Sequence, residues 1–448
     1  MNETKTIIEL KELLASKCFY ALKDAFNVMN PADIALFMSE LEKDELVLAF
    51  RILPKDLAAD TFVEMESESQ EELIHNFTDK ELKEVMDEVY VDDAVDIIEE
   101  MPANVVKRIL RAADADTRKS INMILQYPED SAGSIMTTEY VSLKRNVSVD
   151  DAIKHIRLTG LNKETIYTCY VTESNKLLGI VTVKDLLLAS GEDTVESIME
   201  TNPIYVLTTE DKESVAYYFD KYNFIALPVV DEEKRMVGIV TFDDAIDVLQ
   251  DEATEDIEKM AAIVPNDKPY MRTTVFETWR KRIPWLALLM ILATFTGMIM
   301  SFFEDALKAH IILTAFIPMI MNTAGNSGSQ ASVTVIHGIS VGEIEYSDTL
   351  RVLWKEFRVA FLCGISLALV MFIKCIVIDR LALDISLVIS ITLILAVLFA
   401  KFIGCLLPIG AKKIGFDPAV MASPFITTIV DAMSLLLYFT MAGILLGI

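Results

Sequence analysis

The sequence predicts a multidomain chain: an all-α helical superhelix in front, a small α/β unit built twice, a linking helix, and a five-helix α membrane domain. Three observations predict it. First, charge is segregated: residues 283–448 hold 10 Asp+Glu and 9 Lys+Arg, so 57 acids and 31 bases fall in residues 1–282. Second, long apolar runs follow one another through the back of the chain. Third, one pattern occurs twice in the middle. The net charge of −27 and the 52% hydrophobic content therefore belong to different parts of the molecule. That split excludes a single soluble domain and a disordered acidic tail. The sign of the charge argues against nucleic-acid binding, which needs basic surface.

Residues 1–131 carry helical periodicity and almost no strand signal. The opening MNETKTIIELKELL is polar and charged, which argues against a cleaved signal peptide. Leu57-Ala58-Ala59-Asp60…Met65 aligns weakly with Asp93-Ala94-Val95-Asp96…Met101, as stacked helix pairs of a solenoid would. On the later helix Ala94, Ile97, Ile98 and Met101 form the core stripe. Asp92, Asp96 and Glu99 then project together from the opposite face, and Asp92 and Asp96, one turn apart, repel each other. Such a group is either a solvated acidic face or a cation site completed by another domain.

The repeat occupies residues 132–250, divided at 199. Ser134-Ile135-Met136 recurs as Ser197-Ile198-Met199, and Leu178-Gly179-Ile180-Val181-Thr182-Val183-Lys184-Asp185 as Val237-Gly238-Ile239-Val240-Thr241-Phe242-Asp243-Asp244. Each copy runs through a helix (Asp150–Arg157, Glu213–Lys221), an apolar strand (Ile166–Val171, Ala226–Val230), a second strand and a closing helix. Two copies suit a paired module, not a long array. Each resembles a CBS domain, whose copies end in a similar "(L/V)GIVTxxD" stretch. That resemblance implies a nucleotide site, with ATP as a possible ligand, at Tyr167, Lys184, Asp185 and Phe224; many such pairs bind none.

Residues 251–274 form the linker. Asp243, Asp244 and Asp247 are followed at once by Asp251, Glu252, Glu255, Asp256 and Glu258, and Leu249–Ile263 reads as helical. These surfaces should spread apart without cations. Oxygen ligands without nearby His or Cys suit Mg²⁺ or Ca²⁺, not zinc or copper.

The back, residues 275–448, contains five candidate spans: Ile283–Phe303, Ile311–Ile339, Val359–Ile378, Ile385–Ile409 and Ala419–Ile448. Each approaches the roughly 20 apolar residues a hydrocarbon core requires. Arg280, Lys281 and Arg282, then Arg351, Lys355 and Arg358, then Lys412 and Lys413 fall on one side of a five-span threading. Glu304, Asp305 and Lys308, then Asp379, Arg380 and Asp384, fall on the other. The basic side is cytosolic, which places the N-terminus inside and the C-terminus outside a plasma membrane. Asp431 stands at membrane depth in the last span. It is either a pore carboxylate or one neutralised by protonation, Lys374 or Lys401. In the second span Pro318 precedes Asn322-Thr323-Ala324-Gly325-Asn326-Ser327-Gly328-Ser329-Gln330, which serves close helix packing, a polar wall, or both. Asp417 is a helix cap or a carboxylate at a pore mouth.

The five cysteines are scattered with no CxxC pair, so free thiols are expected. The four histidines, His75, His155, His310 and His337, are dispersed, and no Walker loop, HExxH or nucleophile elbow occurs, which argues against an enzyme.

This order of parts closely resembles the MgtE family of magnesium transporters and channels over nearly the whole chain. The most specific stretches are Glu252-Ala253-Thr254-Glu255-Asp256-Ile257, Gly325 to Gln330, and Asp417-Pro418-Ala419 through Pro424 to Asp431. The resemblance implies a homodimer in the lipid membrane, with Mg²⁺ as both substrate and regulatory ligand and one Asp431 from each subunit at the pore. It implies sensor carboxylates at Asp60, Asp92, Asp96, Glu213, Asp244, Asp247, Glu252, Glu255 and Asp256, with the linker helix as a plug that shuts the pore when cytosolic Mg²⁺ is high. Asp60 stands where the family has Glu, and Ser423 where relatives have Asn. Two alternatives stay open: transport of another divalent cation such as Co²⁺ or Mn²⁺, and a membrane-anchored nucleotide sensor.

Overall fold

Short helices with frequent proline at or just before their first turn build the front of the chain. Among the described residues these are α1 (Glu3–Ala15), α2 (Phe19–Phe26), α3 (Pro31–Ser39), α4 (Lys43–Phe50), α5 (Lys55–Val63), α6 (Ser67–Asn76), α7 (Asp79–Met86), α8 (Val91–Glu100), α9 (Ala103–Ala112) and α10 (Ala115–Ile124). The computed structural model describes residues 3–266, 270, 273–304, 308, 310–421 and 423–446. Asp305, the Ser423 side chain and the last two residues of the fifth predicted span lie outside the described residues. Helix starts are well marked: Asn30 caps α3 with Pro31 at N1, and Thr78 with Glu81 forms a capping box on α7. α3 packs on α5, α5 on α7 and α7 on α9, while α4 packs on α6 and α8 on α10. These two rows of alternate helices are the solenoid that the weak repeat predicts. Arg108 from α9 donates to the carbonyls of Ile74 and Phe77, tying down the open C-terminal end of α6.

The repeat folds into two small sheets. The first has the order β1 (Ser142–Lys144), β2 (Thr168–Glu173), β3 (Lys176–Thr182), β4 (Glu200–Thr201); the second has β5 (Val206–Leu207), β6 (Ala226–Val230), β7 (Met236–Thr241). In each, the first strand pairs parallel with the second and the second antiparallel with the third. α11 (Val149–Thr159) and α14 (Lys212–Tyr222) supply the crossovers, with α12 (Val183–Leu188) and α13 (Val195–Ile198) completing the first copy. The copies exchange their leading segments. β4, just after Ser197-Ile198-Met199, pairs with β3, while Thr137, just after Ser134-Ile135-Met136, exchanges both backbone bonds with Ile239 of β7. This close approach explains the repeated glycine. A Cβ on Gly179 would lie 2.5 Å from the Glu200 carbonyl oxygen, and one on Gly238 2.6 Å from that of Thr137. Tyr170 packs with Ala226, Val230, Met236 and Ile239 along the seam, and the second copy shares one apolar core with α1–α10.

α15 (Phe242–Met260) closes the second copy and continues unbroken through the acidic linker sequence. The division into two compact units, Met1–Leu249 and Gln250–Ile448, falls within it.

The second unit holds α16 (Val275–Phe302), α17 (Ile317–Ser340), α18 (Thr349–Val377), α19 (Leu383–Lys413) and α20 (Ser423–Leu446). α19 packs on α17, α18 and α20, α17 packs on α20, and α16 lies against α20. Several helices extend beyond the predicted apolar runs because polar residues start them early, as the Thr274–Glu277 capping box does for α16. Among the described residues four helices are long and apolar enough to cross a membrane: α16, α18 to α20, the last three counted with short lead-in turns where present. The five-span expectation meets its exception in α17. At 24 residues it is long enough, but its polar and small residues lower its apolarity, and Ala324, Gly325, Ser327, Gly328, Ala331 and Ser332 are buried. A helix covered by neighbouring helices does not need an apolar surface facing outward.

Candidate cation sites

Three groups of side chains stand out. In the first unit, Val91 opens α8 and donates its N–H to Glu139 at 3.2 Å, a carboxylate placed at the positive end of a helix. Asp92 follows in that first turn. It is only 6% exposed, and its Oδ1 is buried without a hydrogen-bond partner. Of the two readings the sequence leaves open, a solvated face and a cation site, the burial of Asp92 goes against the first for this residue. The start of the acidic side of α8 is turned towards the first turn of α15 and the loop at Glu164, so Asp92 is covered while Asp96 and Glu99 further along stay exposed.

Asp244 accepts from Thr241 Oγ1. Burial, and then Asp92 beside it, hold its carboxyl well above the usual range; burial, then Glu164 and Asp93, do the same to Asp92. Burial and Asp243 push Asp93 up to about 6. Asp96 keeps contact with solvent, which screens its neighbours, yet burial and then Asp93, Glu99, Glu100 and Asp247 push it up to about 7. Glu164, with Oε2 buried and unpartnered, is pushed to about 8 by burial and by Asp93, Asp243 and Asp244. Asp60 is largely exposed; the partial cover it has, then Asp56 and Glu88, raise its carboxyl, and it acts on Asp93. Glu213 stands exposed in the first turn of α14, next to Lys212, which lies beside Glu99 and bonds Asp130 at 2.9 Å.

Asp60, Asp92, Asp96, Asp244 and Asp247 thus share one acidic field. Sequence reading missed Asp93, Glu139 and Glu164 as members. Glu139 and Glu164 lie far beyond α8 in the sequence, with no motif to mark them. Among the described residues no group of three or more His, Cys, Asp or Glu is drawn close enough to hold a metal ion directly. Oxygen-only donors, two of them orphaned, fit a hard cation that keeps its water shell and meets carboxylates through it.

In the second unit the end of α15 meets the turn before α20. Lys259 Nζ lies 2.6 Å from Glu255 Oε1 and 2.6 Å from Asp417 Oδ2. Asp417 Oδ1 accepts the Ala419 N–H at 2.7 Å, so Asp417 is a turn cap and an ion-pair partner at once. Asp256 accepts from Ser340 Oγ at 3.3 Å, and burial and then Asp417 raise its carboxyl. Met260 packs against Ile336 and Ala419. Glu252 lies three residues before Glu255 on the same helix. Lys259 was absent from the sequence reading; its signal was a base four residues after Glu255 in an otherwise acidic helix.

The third group surrounds Asp431 on α20, whose Oδ1 is buried without a hydrogen-bond partner. The neutralising partners considered from sequence are engaged elsewhere. Lys374 pairs with Asp379 at 2.6 Å and Lys401 with Glu356 at 3.2 Å. A Cβ on Gly325 of α17 would lie 3.0 Å from Thr427 and 3.7 Å from Asp431 Oδ1. One turn on, Ser329 Oγ approaches Thr427 Oγ1 at 3.5 Å. The small residues also allow backbone contact, since a Cβ on Gly404 of α19 would lie 2.3 Å from the Gly328 carbonyl oxygen. The run therefore both packs closely and presents polar groups. Asn326, Ser329, Gln330 and Thr334 line a cavity of about 790 Å³ with Glu356 and Lys401.

Of the nucleotide-site candidates, Tyr167 and Lys184 are exposed near the junction of β3 and α12. Asp185 caps α12 by accepting from Thr182 N and Oγ1. Phe224, in the second copy, packs on Tyr222 with ring centroids 5.4 Å apart.

Family models match the chain along its length: an MgtE intracellular N domain over residues 29–130, CBS domains over 132–192 and 195–251, and MgtE, a divalent cation transporter, over 317–441. The magnesium transporter MgtE of Thermus thermophilus is 33% identical, aligned over 99% of both chains. That of Bacillus subtilis is 32% identical over 99% of this chain and 98% of its own. A crystal structure of the cytosolic domain of the Mg²⁺ channel MgtE in complex with ATP superposes with a TM-score of 0.51 at 33% identity, covering 54% of this chain and 99% of that one. The soluble part of a magnesium transporter superposes at 0.53 and 27% identity, covering 56% and 100%.

Proposed function

The chain belongs to the MgtE family of magnesium transporters, a non-enzymatic family, and from that membership we propose that it admits Mg²⁺ to the cell along a path past Asp431 and is shut by cytosolic Mg²⁺. The observation that carries the path is Asp431: a carboxylate in an apolar helix whose buried Oδ1 has no hydrogen-bond partner, with Lys374 and Lys401 committed to other acids. An ionisable group at such depth is costly and marks an ion route. Mg²⁺ sheds water reluctantly, so Asp431 would attract and hold the hydrated ion, with Thr427 and the α17 backbone at Gly325 leaving it room. The working unit would be a homodimer of five-span subunits, α17 counted as the fifth, with the N-terminus cytosolic and the C-terminus outside. Its domains would be 1–131, the CBS copies 132–199 and 200–250, the linker or plug 251–274, and the membrane domain 275–448.

Gating would follow from linkage. The carboxylates around Asp92 and Asp244, and those at Glu252, Glu255, Asp256 and Asp417, repel one another within their own units. A divalent cation cancels that repulsion only when each group is compact, so its binding favours the compact, shut state. The CBS pair, related to a cytosolic domain crystallised with ATP, would take an adenine nucleotide at Tyr167, Lys184, Asp185 and Phe224. Titration with a fluorescent ATP analogue and with Lys184→Ala tests this.

Asp431→Ala should abolish Mg²⁺ uptake in a magnesium-dependent strain at unchanged membrane abundance; uptake at the wild-type rate would refute the path. Co²⁺ and Mn²⁺ competition in proteoliposomes decides which cation the path prefers.

A further inference from the structure

We infer that Lys259 is a positioning residue for the gate: a built-in cation that occupies the Asp417 carboxylate and holds the end of α15 against the membrane unit. This rests on the proposed gating role of that helix end. The geometry is specific. One ammonium bridges Glu255 Oε1 and Asp417 Oδ2, each at 2.6 Å. Glu255 sits one turn earlier on α15 and presets the lysine, while the Ala419 N–H fixes the other Asp417 oxygen at 2.7 Å.

Contacts on either side converge on the same place. Asp256 takes Ser340 Oγ at 3.3 Å, and Met260 packs on Ile336 and Ala419. Beyond the helix, Glu258 accepts the Asn266 N–H at 2.8 Å, and Lys281 holds the Asn266 side-chain oxygen at 2.6 Å. An ordinary surface ion pair contributes little. This one is about two-thirds buried at Glu255 and Asp417 and more so at Lys259, joins three charges, and is set in an apolar contact. Burial opposes the ammonium, yet the bonds to Asp417 and Glu255 keep it protonated beyond the ordinary lysine range.

The charge arithmetic gives the lysine its role. Of the carboxylates in this group, the three that act directly on or beside Lys259, namely Glu255, Asp256 and Asp417, carry three negative charges, and Lys259 leaves two, which one hydrated divalent cation neutralises. With the lysine gone, one such ion no longer suffices, and docking needs more Mg²⁺.

The test is Mg²⁺ flux through the full-length protein in proteoliposomes, with Mg²⁺ varied on the cytosolic side. Lys259→Gln should raise the concentration for half-inhibition by at least about fivefold, with flux in the absence of cytosolic Mg²⁺ unchanged. Lys259→Arg should stay within about twofold of wild type, and the exchange of Lys259→Asp with Asp417→Lys should recover most of the shift. An unmoved midpoint in Lys259→Gln, or a lower one as expected of a lysine that competes with Mg²⁺, overturns the inference. Wild-type protein that cytosolic Mg²⁺ does not inhibit overturns the gating reading instead.

Discussion

Asp92 illustrates how one residue carries information that its neighbours in sequence conceal. A carboxylate 6% exposed with an unpartnered oxygen is destabilising unless something compensates it. Replacing it by Asn keeps the shape and removes the charge. Asp92→Asn should therefore stabilise the metal-free front of the protein by about 1–3 kcal/mol and reduce the further stabilisation by Mg²⁺. Thermal unfolding of the purified protein in EDTA and in millimolar Mg²⁺ measures both. Paired with Asp96→Asn, it should also weaken inhibition of flux by cytosolic Mg²⁺. Gly404 makes a complementary point about packing. Its missing side chain allows α19 to meet the Gly328 carbonyl, so Gly404→Ala should destabilise the membrane unit by about 1–3 kcal/mol or more, visible as a lower melting temperature in detergent.

At the scale of elements, the acidic field between α8, the Glu164 loop and α15 links stability to pH. Its carboxyls are raised in the folded state, Asp93 to about 6, Asp96 to about 7 and Glu164 to about 8. The folded state then binds more protons than the unfolded one. Their contribution is fully present below the unfolded values near 4 and is lost as pH rises through 6 to 8. In metal-free buffer the first unfolding transition should move up as pH falls from 8 to 5.5. At pH 8, Mg²⁺ should produce a similar rise, because either ion removes the same repulsion. Equal ionic strength of NaCl should do less, since partly buried groups are screened weakly.

The whole molecule separates its two physical tasks along the chain, with a strongly acidic front and a nearly neutral apolar back. The basic residues beside the apolar helices predict opposite locations for the two ends if α17 spans. A tag after residue 448 should react with an impermeant label in intact cells and one before residue 1 should not. Labelling of both ends from the same side would mean an even number of spans.

The sequence by itself determined the solenoid, the twofold repeat and the apolar helices, because each rests on local periodicity or on composition over a long window. It also marked Asp92 and Asp244 as members of carboxylate clusters and Asp431 as a charge in an apolar run, since both kinds of pattern are visible in one dimension. Only the tertiary structure decided that Asp92 is buried, that the two copies exchange their leading segments, that Glu139 and Glu164 join the acidic field, and that Lys259 faces Asp417. The physical reason is that burial and Coulomb interaction depend on distance in space. Residues such as Asp93 and Glu164 come together only after separate elements have packed.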